Sequence, residues 1–141
     1  YSELYTYTDK DGKFDYAIPG GWWLDPADAL EKYKAPDGSA FMQRFTIPWN
    51  DKTMTDDTAI FGAIQTTIEN QEGYVTILRR DKIEGGGWQI TYSIGGIDTT
   101  GIVTGIKVDG NLQMVNVEFP TSMADKYRPL AVKINTALKT K

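Results

Sequence analysis

The chain has 141 residues, a size suited to one domain, with 15 basic and 19 acidic residues, a net charge of −4 and a pI near 4.8. It contains no cysteine and no histidine, which excludes disulfides, Cys/His and Ser-His-Asp catalysis, and any zinc or haem site built on those ligands. The acidic balance argues against a nucleic-acid partner, which needs a basic stripe, and no run of about 18 apolar residues is present to span a bilayer as a helix.

Residues 1–8 alternate apolar and polar positions as a strand, and Asp9-Lys10-Asp11-Gly12 signals a turn into a second alternating strand over residues 14–18. Pro19-Gly20-Gly21 ends it. Residues 26–33, with Pro26 in the first turn, predict a short helix. Pro36-Asp37-Gly38 turns into a strand over residues 39–47, where Phe41, Phe45 and Ile47 share one face and Ala40, Met42 and Arg44 the other. After a loop over residues 49–53, the period changes to that of a helix. Ile60, Phe61, Ile64 and Ile68 form one stripe, Thr55 is the expected N-cap and Gly73 the terminator.

Three strands follow, over residues 74–83, 88–94 and 99–108, separated by Gly85-Gly86-Gly87 and Gly95-Gly96. Trp88, Ile90, Tyr92 and Ile94 alternate cleanly onto one face. Asp109-Gly110 marks a tight hairpin to residues 112–119, a strand apolar on both faces and so expected to be covered on both sides. The chain closes on a helical stripe of Met123, Tyr127, Leu130, Ala131, Ile134 and Leu138. Because Pro129 fits poorly inside a helix, a short turn over residues 122–127 is expected, then a main helix with Pro129 in its first turn and Lys133, Lys139 and Lys141 towards its end. Strands segregated from helices in this order predict an α+β class, an antiparallel sheet flanked by helices on both faces, in one domain over residues 1–141.

Several of these segments together resemble the PsbP-like α/β/α sandwich superfamily. Those segments are Phe14-Asp15-Tyr16-Ala17-Ile18-Pro19 followed by Trp22-Trp23, Ala35-Pro36-Asp37-Gly38 before a strand, and the helix near residues 58–68. Gly87-Trp88-Gln89-Ile90-Thr91-Tyr92, the Asp109-Gly110 hairpin and Tyr127-Arg128-Pro129-Leu130 complete the set. The superfamily includes the PsbP extrinsic subunit of photosystem II, a Ran-binding nuclear-import factor and exported bacterial proteins of the DcrB and LpqN type. The resemblance covers most of the chain and rests on packing and turn signatures, so it implies a fold and an extracytoplasmic setting and transfers no functional residue.

Trp22-Trp23, with Trp49 in a loop, is the most prominent candidate site. Neighbouring residues on extended chain point to opposite sides, so one indole can anchor the core while the other faces outward to stack a sugar ring, an apolar ligand or a protein partner. The alternative is that both pack under a helix and cap the sheet edge. Arg44 is read either as an anion-binding residue in a pocket or as one half of a structural ion pair. Asp9-Lys10-Asp11-Gly12 is half of a calcium loop at most, since residues 17–21 offer no closing carboxylate. No metal site is therefore expected. The glycine run at residues 85–87 lies between strands and is no phosphate cradle, and Arg79-Arg80 reads as an edge-strand face.

No carboxylate, lysine or tyrosine pair stands out as an acid–base constellation, so no catalytic residue and no cofactor are expected. The resemblance then implies a non-catalytic extracytoplasmic binding or accessory module for a protein partner, in the periplasm, the thylakoid lumen or on the cell surface. The alternative is a small-ligand-binding protein that holds a sugar, lipid or other apolar ligand on the aromatic cluster, and an unrecognised hydrolase is a third. With Tyr1 at its start and no signal peptide, the sequence is expected to be processed or truncated, which leaves room for a lipid anchor ahead of Tyr1.

Overall fold

Alternation and turn chemistry set most of the backbone. The computed structural model describes residues 3–141. Of the expected opening strand, Tyr1 and Ser2 lie outside the described residues, and the observed strand is β1, Leu4–Thr8. The Asp9 carboxylate accepts the N–H groups of Lys13 and Phe14, which folds the chain back into β2, Phe14–Pro19. Both strands belong to a three-stranded sheet completed by β10, Lys139–Thr140, in the order β1-β2-β10.

The main sheet is antiparallel and has seven strands. They are β3 (Trp23–Leu24), β4 (Glu31–Lys34), β5 (Phe41–Pro48), β6 (Val75–Lys82), β7 (Trp88–Ile94), β8 (Thr100–Val108) and β9 (Asn111–Phe119). Their order is β3-β4-β5-β9-β8-β7-β6. Helix α1 (Asp57–Glu72) lies on one face, burying Ile60, Phe61, Ile64 and Ile68 against Trp88, Ile90, Tyr92 and Val103. Helix α2 (Ala124–Thr136) and the small sheet lie on the other, where Phe14, Ile18, Trp22, Tyr127 and Ile134 meet Ile102, Val115, Val117 and Phe119. Strands β8 and β9 supply side chains to both layers, as expected for strands covered on each side.

Four local expectations are corrected. Residues 26–33 form no helix: the Asp25 and Asp28 carboxylates accept the N–H groups of Ala27 and Leu30 at 3.0 and 2.8 Å, and residues 31–34 pair with β5 instead. So short a helix gains little on its own, and sheet pairing wins. The N-cap of α1 is Asp56, not Thr55; its carboxylate takes the Ala59 N–H at 2.8 Å, and its charge suits the positive helix end. Helix α2 begins at Ala124 after a 3-10 turn over Thr121–Met123, so Pro129 sits inside it. The backbone bond that Pro129 cannot donate is outweighed by the packing of Tyr127, Ala131 and Ile134. Lys139 and Thr140 leave the helix to pair with Asp15 and Phe14 of β2, a partner that no local pattern discloses.

Candidate functional site

The three candidate tryptophans do not converge. Trp22 is buried in the α2 layer, edge-on to Tyr127 with ring centroids 6.3 Å apart. Trp23 faces outward on β3, an edge strand paired only through β4, and the Lys34 ammonium lies 5.4 Å from the centre of its ring. Leu24 beside it is equally open, the two being 45% and 53% exposed. Trp49 packs in the other layer, on Trp88 at 5.9 Å, with Lys107 over its own ring and its Nε1 donating to Asp51. Its position continues the odd-numbered face of β5 with Phe45 and Ile47, on the α1 side of the sheet.

Arg44 projects from β5 opposite Glu31 of β4. Its Nη1 donates to Glu31 Oε2 at 2.8 Å, and the guanidinium carbon lies over Tyr16, 3.5 Å from the ring centre. Burial and the charge of Glu31 push the Tyr33 hydroxyl up to about 12, so that phenol stays protonated at neutral pH. Arg44 also borders a 380 Å³ hollow with Asp9, Lys10, Asp11, Tyr16 and Gln113. Of the acids in this hollow, Asp9 is engaged by the backbone N–H groups of its own turn. Among the described residues, no three acidic side chains gather to hold a metal ion.

A second, 390 Å³ groove opens between the β6–β7 turn at Gly85 and Gly86 and the end of α2. On its floor, Gln89 Nε2 donates to Thr104 Oγ1, which donates to Asn135 Oδ1. Asn135 in turn donates to the carbonyls of Ile102 and Ala131. This chain of bonds ties β7, β8 and α2 together across the groove floor.

Sequence reasoning passed over a buried polar strip on the α1 side of the sheet. Asn116 and Glu118 share the face of Leu112 and Met114, so β9 is not apolar throughout on that side. The Tyr92 hydroxyl lies 2.7 Å from both Asn116 Oδ1 and Glu118 Oε2, and Asn116 Nδ2 lies 3.3 Å from the same Glu118 oxygen. Gln43 is paired across the strands with Asn116, and its Oε1 is buried without a partner. Gly101 of β8 stands between Tyr92 and Glu118 in register. A Cβ there would fall 2.1 Å from Tyr92 Cζ, so the missing side chain is the passage by which Tyr92 crosses β8 to β9. Burial pushes the Glu118 carboxyl up to about 7, Tyr92 donation works against that rise, and neighbouring Glu72 adds to it. The signal for this strip was present in the sequence, as two polar residues with period 2 inside an otherwise apolar strand.

No family model and no curated protein matches the sequence. Solved structures do match its fold. The solution structure of cyanobacterial PsbP from Synechocystis sp. PCC 6803 superposes with a TM-score of 0.73 at 12% identity, over 100% of this chain and 94% of that one. The Ran-binding protein Mog1p of Saccharomyces cerevisiae gives 0.65 at 11% identity, over 98% and 95% of the two chains. LpqN of Mycobacterium tuberculosis, involved in cell envelope biogenesis, gives 0.52 at 13% identity, over 100% and 92%. Such identities speak to architecture alone, and with the seven-stranded antiparallel sheet between its two covering layers they establish that this chain is an α+β protein of the PsbP-like fold.

Proposed function

We propose that the chain is a non-catalytic binding or accessory module that works outside the cytoplasm and meets a protein partner at the sheet edge formed by Trp23 and Leu24. The observation that carries this reading is the exposure of two adjacent large apolar side chains on a two-residue edge strand. An open tryptophan beside an open leucine is the kind of anchor that buries well against a partner, and the Lys34 ammonium over the indole holds it in place. Mog1p, which shares the fold, is a Ran-binding protein and so supports a protein-binding role, and the involvement of LpqN in cell envelope biogenesis supports the location. No helix of the described residues is long and apolar enough to cross a membrane.

The test is photo-crosslinking from position 23 in cells of the source organism, with position 132 on the exposed side of α2 as control. The reading expects a discrete adduct from position 23 that Leu24→Glu abolishes, and none from position 132. Identical adducts from both positions, or a substrate turnover abolished by Arg44→Met, would sink it. A second reading, a small-ligand protein, is favoured by the 390 Å³ groove over Gln89. Thermal-shift screening with sugars and lipids, repeated in Gln89→Leu, separates the two.

A further inference from the structure

We infer that the groove between the Gly85-Gly86 turn and the end of α2 receives its ligand by an ammonium head group, with Gln89 fixed as the acceptor; the inference rests on the small-ligand reading of this groove given above. The decisive feature is the direction in which protons run along the floor. Asn135 Nδ2 lies 3.2 Å from the Ile102 carbonyl oxygen and 2.8 Å from that of Ala131, so both its hydrogens are held by backbone oxygens. Its Oδ1 can then only accept, and the Thr104 hydroxyl, 2.6 Å away, must give it the single proton it owns. Thr104 Oγ1 in turn can only accept from Gln89, which fixes the Gln89 atom 3.0 Å from it as Nε2. The Gln89 side-chain amide is thereby locked in one of its two orientations. Its Oε1 points away from Thr104 and, among the described residues, accepts no bond.

Most of the remaining polar capacity of the groove is of the same kind. Thr136 Oγ1 donates its proton to the Val132 carbonyl at 2.8 Å and so offers only lone pairs. Thr104 Oγ1 and Asn135 Oδ1 each keep one lone pair after the bonds just described. The neutral donors left are fewer, the second amide hydrogen of Gln89 and the Thr140 hydroxyl. Glu84 on the β6–β7 turn and Lys139 of β10 carry one charge of each sign, so net charge does not decide the preference and the floor does. An ammonium brings three protons and no lone pair to such a floor, whereas a carboxylate brings lone pairs alone.

The rest of the groove suits a hydrocarbon body. Ile83, Ile106 and Leu138 line it, and a Cβ on Gly85 or Gly86 would meet nothing within 4 Å, so the turn leaves that side open. Among the described residues no aromatic ring lines the groove, which removes the stacking platform that a sugar would use.

Three compounds that share one hydrocarbon body test the inference: cyclohexylmethylammonium, cyclohexylmethanol and cyclohexanecarboxylate. Each is titrated at neutral pH and fixed ionic strength while the backbone and side-chain amide resonances of Gln89 and Asn135 are followed by NMR. The ammonium is expected to bind at least about ten-fold more tightly than the carboxylate, the difference made by one charge-assisted hydrogen bond, with the alcohol between them. Gln89→Met removes the fixed acceptor and should bring the three Kd values within about three-fold of one another. Thr104→Val frees the Gln89 amide to turn over and should remove most of the ammonium's advantage. A carboxylate that binds the wild-type chain as tightly as the ammonium, or an ammonium preference undiminished in Gln89→Met, would overturn the inference while leaving the groove a small-ligand site. Resonances of Gln89 and Asn135 that stay unmoved by all three compounds would overturn it together with the small-ligand reading. The wild-type titrations decide by themselves, so the test survives a variant that fails to fold.

Discussion

Replacing Gly101 with alanine probes the tightest packing in the sheet. The new methyl would lie 2.1 Å from Tyr92 Cζ and 2.4 Å from its hydroxyl oxygen, against the roughly 3.5–4.0 Å at which carbon atoms attract. Tyr92 has no exposed surface, and its hydroxyl is fixed on Asn116 and Glu118, so the ring has nowhere to swing. Overpacking of this kind costs about 1–3 kcal/mol, and stranding the buried Asn116 and Glu118 without the Tyr92 donor adds about 1–3 kcal/mol. The sum, about 4 kcal/mol, is a large part of the roughly 5–15 kcal/mol that holds an ordinary domain together. At this chain length it corresponds to a fall in Tm of roughly 12–20 °C. Gly105→Ala on the same strand is the control: its neighbours are side-chain atoms of Ile64 at 3.0 Å and of Leu112 and Met114 at 3.3 Å, looser than at Gly101, and it should cost clearly less than Gly101→Ala. Urea unfolding of both variants, together with Tyr92→Leu and the Gly101→Ala/Tyr92→Leu double variant, completes the cycle. The double variant should be at least about 2 kcal/mol more stable than additivity predicts, because the shorter side chain vacates the passage. A Gly101→Ala protein within about 1 kcal/mol of wild type, or strict additivity in the cycle, would refute the reasoning.

Three further outcomes follow from the same geometry. Glu118 is raised from 4.5 to about 7 in the folded chain, so its contribution is fully present below about pH 4.5 and is lost as pH rises to about 7 and beyond, by about 3 kcal/mol. Urea titrations across that window should show the decline in the wild-type chain and its absence in Glu118→Gln. Asp56→Ala removes the α1 cap and should cost about 1 kcal/mol by thermal unfolding, whereas Thr55→Ala should stay within about 0.5 kcal/mol. Arg44→Lys keeps the charge but gives up the flat guanidinium over Tyr16; thermal unfolding should place it below wild type and close to Arg44→Met, because stacking and geometry matter more here than charge.

The parts of the fold that were legible are those fixed by period. The α1 stripe of Ile60, Phe61, Ile64 and Ile68 and the alternation of Trp88, Ile90, Tyr92 and Ile94 each meet one surface, so the sequence discloses which side chains go inward. What stayed hidden depends on partners far along the chain. Residues 26–33 have an acceptable helical composition, and only pairing of residues 31–34 with β5 and the two aspartate-closed turns decide against it. Lys139 looks like a favourable charge at a helix end until β2 claims it as a strand residue. Two adjacent tryptophans and a third in a loop suggest one cluster, yet β5 parity sends Trp49 to the side opposite Trp22. Glu118 was overlooked because its strand neighbours are so apolar, and that same surrounding is what perturbs it.

The pairing of β10 with β2 also has a consequence for the order of assembly. Phe14 and Ile18 of β2 belong to the α2 layer, and that strand gains its second neighbour only from Lys139 and Thr140. During synthesis the main sheet has all seven of its strands once residue 119 has emerged, whereas the small sheet must wait for almost the whole chain. A ribosome-bound chain stalled before residue 139 should thus carry an ordered α1 layer and a β1–β2 hairpin with one edge open, a state in which β2 can accept a strand from another molecule.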